Sequence, residues 1–217
     1  PGHNAADFPL NLSDILRVEV LEGAAARLLG SGAFSGAVNV VTRSGGERLR
    51  ASVAGGSYGT LGAEARTAWT PGPFATSASL SYMRSDGAVP ATDFDRVKAY
   101  WSGRYEGRSV RLSAQAGFTG QRFGASTFYS AAWPDQWEAT RRTLLSLRAE
   151  TTGPVGLYVQ GSWLRSTDHY QLTRGSSEGE NFNRGDVTTL SAGLTLPWAG
   201  GHTTLGAELR REDLLSS

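Results

Sequence analysis

From about residue 48 onward, apolar and polar residues alternate with a period of two over long runs, each ended by Gly, Pro, Asp or Ser clusters. Nine such runs are legible, at 48–57, 60–70, 75–85, 94–106, 109–120, 138–152, 155–168, 184–196 and 202–213. Globular strands average about five or six residues, whereas a tilted membrane-crossing strand needs roughly 9–11. The pattern therefore predicts an all-β chain, a transmembrane antiparallel β-barrel of which about nine strands are present.

Charge sorts between the two faces of these runs. Val110, Leu112, Ala114, Ala116 and Phe118 share one face, and Arg111, Ser113, Gln115, Gly117 and Thr119 the other. Val97, Ala99, Trp101, Gly103 and Tyr105 likewise oppose Lys98, Tyr100, Ser102 and Arg104, and Thr143, Leu145, Leu147 and Ala149 oppose Arg142, Leu144, Ser146 and Arg148. An Arg or Lys at the lipid midplane costs about 2–4 kcal/mol, so the basic face is assigned to a wet lumen. Arg165 and Arg211 break the rule and are expected at strand ends, where the cost fades.

The connections alternate in length. Those at 71–73, 107–108, 153–154 and 197–201 are short, and those at 86–93, 121–137 and 169–183 are longer, as for periplasmic turns and outer loops; the tight turn Ser57-Tyr58-Gly59 is the exception on the long side. Trp69, Tyr105 and Trp198 near the short turns, and Tyr82, Phe118 and Trp163 near the long loops, fit two interfacial girdles. Single-chain bacterial barrels have an even number of strands, and barrels with a plugged lumen reach about 22. Nine strands therefore predict a fragment of a larger barrel, insoluble or unfolded by itself in water.

Composition trims the alternatives. The chain has 217 residues, 28 Gly, no Cys and a net charge of +1, so a nucleic-acid footprint, which needs a basic patch or stripe, is not expected, and stability does not rest on disulfides. No window is apolar enough for a membrane helix, which leaves a barrel open because its apolar surface sits in every second residue.

The stretch before the runs carries three linked features. They are Arg17-Val18-Glu19-Val20-Leu21 followed by Gly23, then Leu28-Leu29-Gly30-Ser31-Gly32-Ala33, then Gly36-Ala37-Val38-Asn39-Val40-Val41-Thr42. This segment resembles the end of the plug domain of a TonB-dependent outer-membrane receptor. The resemblance implies residues 1–46 as the C-terminal part of a plug and 47–217 as the N-terminal part of the barrel. It further implies active import of an extracellular small ligand or metal chelate, powered through the TonB–ExbB–ExbD complex, in a protein embedded in outer-membrane lipid. The plug turn at 24–34 is expected to face the ligand side or the lumen. Arg17 and Glu19, alternating with Val18 and Val20, are candidate plug–barrel contacts; a plain exposed charged face is the simpler reading.

The connection at 121–137 concentrates Phe123, Phe128, Tyr129, Trp133 and Trp137. A loop longer than about 12–15 residues is usually functional or disordered, and dense exposed aromatics suggest a binding surface. Phe123, Phe128, Tyr129 and Trp133 are the candidate ligand-facing residues, unless they pack on one another and the rim. The Phe-Gly-Ala-Ser-Thr-Phe-Tyr-Ser run with the following Trp-Pro-Asp-Gln-Trp-Glu also resembles an outer loop of vitamin B12 receptors, so a corrinoid and a ferric siderophore are both expected ligands.

Other motifs lack their context. Residues 30–36 space glycines as GxGxxxG, but a β-branched run follows where a nucleotide-binding loop requires a helix. Gly175-Ser176-Ser177-Glu178-Gly179 matches GxSxG without the strand-to-helix elbow that activates the serine. His3, His169 and His202 have no metal-ligand spacing, and Asp86, Asp93 and Asp95 read as solvated loop acids before calcium ligands. No acid–base or nucleophile–base pair can be placed, so no enzyme, cofactor or metal is expected. A passive channel or surface-binding barrel, and a soluble β-rich domain, are the alternatives; strand length and charge sorting oppose the second, the plug motif the first.

Overall fold

Alternating sequence becomes ladder wherever a neighbour can satisfy the backbone, and here it does so without a break. The computed structural model describes residues 7–22 and 36–217. The glycine turn at 23–35, with the expected ligand-facing stretch 24–34 and most of the GxGxxxG spacing, and His3 lie outside the described residues.

A 3-10 turn, Leu12–Asp14, leads into β1 (Ile15–Glu22), which pairs antiparallel with β2 (Gly36–Thr42). Nine further strands follow: β3 (Leu49–Gly55), β4 (Leu61–Trp69), β5 (Phe74–Ser85), β6 (Phe94–Glu106), β7 (Val110–Gly124), β8 (Trp137–Thr151), β9 (Gly156–Gln171), β10 (Glu180–Trp198) and β11 (Gly201–Ser216). They form one antiparallel sheet in sequence order, each strand hairpin-linked to the next.

The strands on the long-loop side outrun the alternation. β7 reaches Gly124, β9 reaches Gln171 and β10 starts at Glu180, so the loops shrink to 125–136 and 172–179. Arg165 and Arg211 are consequently not at strand ends; they lie inside the ladder, opposite Asp186 and Thr188. Beyond the apolar band a hairpin stays paired although its outward positions turn polar, because water there imposes no lipid constraint on side chains.

Register confirms the sorting of faces. Lys98, Thr119, Arg142 and Ser166 lie in one row across β6 to β9, and Trp101, Ala116, Leu145 and Trp163 in another. Burial is inverted relative to a water-soluble domain. Arg66, Ser77, Ser79, Ser102, Thr119 and Thr140 are buried on the inner face, while Leu80, Trp101, Leu145, Leu147, Leu190 and Leu209 are exposed on the outer. A lipid solvent rewards that arrangement, since apolar side chains there have no water to escape.

The aromatic rows give the tilt. The position level with Tyr82 on β7 is Gly120, two residues from Phe118, and the position level with Phe118 on β9 is Arg165, two residues from Trp163. The row thus slips one residue per strand. A slip of ~3.3 Å over a strand spacing of ~4.8 Å is a tilt of about 35°, at the lower end of the range for membrane barrels. Between the girdles, 110–118 on β7 spans about 26 Å along the strand, which at this tilt is about 22 Å of height, slightly under the apolar band of about 25 Å usual for such barrels.

Candidate functional site

Two assemblies stand on this wall: a chain segment seated on its inner face, and a group of tied loops at its rim. The segment is 7–14, which precedes β1. Its anchor is Asp14, fully buried, whose carboxylate accepts hydrogen bonds from the Ser79 hydroxyl at 2.5 Å and the Asn11 N–H at 3.1 Å. Arg66 Nε lies 3.4 Å from the same carboxylate and is 5% exposed. Arg66 also donates to the carbonyls of Arg43 and Gly45, at 3.4 and 3.2 Å, so one guanidinium clasps the segment before β1 and the chain leaving β2. Burial pushes the Asp14 carboxyl up, opposed by Ser79, Asn11 and Arg66.

Around that anchor the contacts are mostly hydroxyls. Asn11 donates to Ser79 at 2.7 Å and accepts from Ser81 at 2.6 Å, and Ser77 reaches the Arg43 carbonyl at 3.4 Å. Farther along, Lys98 sits 3.2 Å from Asp7 and donates to the Phe8 carbonyl at 2.9 Å, while Arg142 donates to the Asp7 carbonyl at 2.8 Å. A Cβ at Gly117 would stand 2.7 Å from the Pro9 carbonyl, which is why the wall is bare there.

Sequence reasoning passed over Asn11, Asp14 and Arg66. A usable signal existed: Asn11-Leu12-Ser13-Asp14 has the spacing of a turn whose fourth residue reaches back to the first amide. Arg17 and Glu19 occupy different ground. Arg17 pairs with Glu19 at 2.6 Å, Asn39 donates to Glu19 at 2.8 Å, and these bonds stay within the β1–β2 sheet.

At the rim, the 125–136 loop is organised around one amide. Gln136 is fully buried; its Nε2 donates to the carbonyls of Ser130 and Trp133 at 3.0 and 2.8 Å, and its Oε1 accepts from the Tyr129 N–H at 3.4 Å. The Tyr129 hydroxyl donates to Glu138, and its ring meets Phe128 and Tyr170 edge-on at 4.9 and 5.2 Å. Burial first, then the Glu138 carboxylate, raises the Tyr129 hydroxyl pKa and keeps it protonated as donor. Arg174 ties the neighbouring loops: it grips Asp93 with two bonds, at 2.9 and 2.7 Å, and its N–H donates to the Asp135 carbonyl at 2.9 Å. That grip holds the Asp93 carboxyl below its ordinary value.

Phe123, Phe128 and Tyr129 come together around a depression of ≈ 340 Å³, with Thr92 and Gly124 to Ser126 completing it. Phe123 reaches it from β7, not from the loop, because the hairpin is longer than its alternation suggested. Trp133 does not line this depression; it and Phe128 are 46% and 66% exposed. The three acids weighed as calcium ligands each have an arginine: Asp86 has Arg84, Asp93 has Arg174 and Asp95 has Arg122. The GxSxG residues fall in the turn between β9 and β10, where Ser176 accepts from the Glu178 N–H. Among the described residues there is no group of three metal-ligating side chains.

No family model matches the sequence, and no curated protein matches it. Solved structures do. The siderophore receptor PiuA of Acinetobacter baumannii superposes with a TM-score of 0.76 at 14% identity, over 94% of this chain and 36% of that one. The ferric preacinetobactin receptor BauA of the same organism gives 0.73 at 17% identity, over 96% and 38%. The siderophore receptor PirA of Pseudomonas aeruginosa gives 0.68 at 19%, over 94% and 36%. The chain spans a little over a third of the length of these structures. Its fold, nine tilted antiparallel strands with polar residues inside and apolar residues outside, is that of a sector of the β-barrel wall in these structures.

Proposed function

We propose that this chain is part of a TonB-dependent outer-membrane receptor that imports a ferric siderophore, with 1–46 belonging to the plug and 47–217 to the barrel. The observation that carries the proposal is the polar inner face with a separate chain segment seated on it through Asp14 and Arg66. A passive channel has no use for such a seated segment, and a soluble domain has no use for the apolar outer face. The similar structures are named for siderophores, which favours a ferric siderophore over the corrinoid that the loop sequence also suggested.

In this reading Phe123, Phe128, Tyr129 and Trp133 present the ligand-facing surface, on loops made rigid by Gln136 and Arg174. The Arg17–Glu19 pair seats the plug against wall strands other than β3 to β11. The TonB–ExbB–ExbD complex supplies the energy and outer-membrane lipid surrounds the barrel. No chemistry on the ligand is involved.

The test is uptake of radio-iron as ferric siderophores by cells expressing the complete gene, with and without TonB. Uptake that stops without TonB is expected. Leakage indifferent to TonB would replace the proposal with a passive channel, and cobalamin uptake without iron uptake would restore the corrinoid.

A further inference from the structure

Between the seated segment and the loops, the inner face of β6 to β9 runs through two further rows. Arg96, Gln121, Thr140 and Asp168 form the first, and Phe94, Phe123, Glu138 and Tyr170 the second. Phe123 carries the second row into the depression it shares with Phe128 and Tyr129. That depression is walled by aromatic rings, small residues and two hydroxyl-bearing side chains besides Tyr129, Thr92 and Ser126, and no charged side chain lines it.

Cations are scarce on this ground. The loops at 86–93, 125–136 and 172–179 hold one, Arg174, and both of its side-chain bonds go to Asp93. The two rows hold one more, Arg96. Against them stand the carboxylates of Asp93, Asp135, Glu138, Asp168 and Glu178, while Asp86 is paired with Arg84. Counting Arg27, the one charged residue in the sequence of 23–35, acids still exceed cations, five to three. Lys98 and Arg142, one row lower, are engaged by the Asp7 carboxylate and the Asp7 carbonyl. Arg84 and Arg122 alternate onto the outer face together with Asp95. Asp135 and Glu178 are both exposed, so their charge reaches an approaching ligand first.

An anionic ligand is recognised by guanidinium or ammonium groups through charge-assisted hydrogen bonds, and like charges placed across an interface suppress the wrong partner. This surface offers aromatic rings, which cover apolar ligand surface, inside a negative field. Each hydroxamate group carries a single negative charge and each catecholate a double one, so a ferric trihydroxamate is uncharged and a ferric tris-catecholate is a trianion. We propose that the surface at Phe123, Phe128 and Tyr129 selects a ferric siderophore without net negative charge, of the trihydroxamate class, against the trianionic tris-catecholate class. The proposal rests on the siderophore-receptor reading and adds to it the charge of the ligand.

The complete receptor, purified in detergent, is titrated with an uncharged ferric trihydroxamate and with a trianionic ferric tris-catecholate of similar size, and binding is read by quenching of tryptophan fluorescence. The trihydroxamate is expected to bind at least about tenfold more tightly at low salt. The gap should narrow about tenfold in the Asp135→Lys/Glu178→Lys variant. It should also narrow for the unaltered receptor as salt rises from about 0.01 to 0.15 M, which shortens the Debye length from about 30 to 8 Å. Equal or tighter binding of the tris-catecholate overturns the proposal, as does a gap that neither the charge reversal nor salt alters. Should the variant not fold, the salt series on the unaltered receptor decides. Uptake of both complexes with and without TonB is followed in parallel. TonB-dependent uptake of the tris-catecholate in preference removes the charge selection alone, whereas binding of neither complex together with no TonB-dependent iron uptake removes the receptor reading as well.

Discussion

Replacing Asp14 by Ala should loosen residues 7–14 from the wall. The substitution removes the acceptor of Ser79 and of the Asn11 N–H, together with the charge facing Arg66. Arg66 would stay buried with only the Arg43 and Gly45 carbonyls as partners. Breaking a buried ion pair by deleting one partner costs about 3–5 kcal/mol. Because two carbonyl bonds remain to the orphaned guanidinium, the lower end, about 3 kcal/mol, applies. At about 1.4 kcal/mol per decade this is roughly a hundredfold loss of protection. The measurement is hydrogen exchange of the amides in 7–14 in the complete protein, with strand amides of β6 to β8 as internal reference. Asp14→Asn, which keeps an acceptor and loses the charge, should lose about tenfold or less. Protection within threefold of wild type in Asp14→Ala would refute the assignment of Asp14 as the anchor.

Other expectations are independent of that anchor. Gly117→Ala pushes a methyl group against the Pro9 carbonyl and should destabilise the seated segment by about 1–3 kcal/mol, visible as a lower melting temperature of the segment while the barrel transition holds. Leu145→Arg, at an outward mid-band position, should cost about 2–4 kcal/mol on refolding into bilayers, whereas Ser146→Arg on the lumen face should cost under about 1; equal costs would overturn the facing of β8. Phe128→Ala should weaken ferric-siderophore binding by about fivefold to tenfold without altering heat-modifiability; unchanged binding would take Phe128 out of the ligand surface. The Asp93–Arg174 tie should respond to acid. Because the Asp93 pKa is depressed in the folded loops, its contribution is complete above the unfolded value of about 3.9 and vanishes as pH falls through the folded one. Protease nicking at 172–179 should therefore be flat from pH 7 to 5 and rise only below about pH 4, while Asp93→Asn should be nicked readily at pH 7.

Much of the wall was legible because a membrane strand repeats one instruction many times. The run at 94–106 coincides with β6, and the other eight differ from their strands only at the ends. Those ends were missed where water replaces lipid: Glu180 to Asn183 and Leu214 to Ser216 pair without alternating in the expected sense, since neither face is then obliged to be apolar. The seated segment was missed for a different reason. Asp14 and Arg66 are 52 positions apart, and nothing local distinguishes Arg66 from any other lumen-facing arginine until the chain is folded. Conversely, the alternation that marked Arg17 and Glu19 described a real pair but not its partner surface. The aromatic cluster was visible as composition, while its rigidity depends on Gln136, a residue with no signature of its own.

The hydroxyl lining beneath residues 7–14 has a mechanical consequence. Each contact with Ser79 or Ser81 is a short bond that one water molecule replaces, so parting it leaves no bare polar group behind. A load drawn along the chain from residue 7 meets Lys98 and Arg142 first, the serines next and Arg66 last. Attachments met in series fail one after another, and the peak force is that of the strongest single point, not the sum. The segment is thus firmly held at rest yet peels under modest tension, with its yield point set by one carboxylate and one guanidinium.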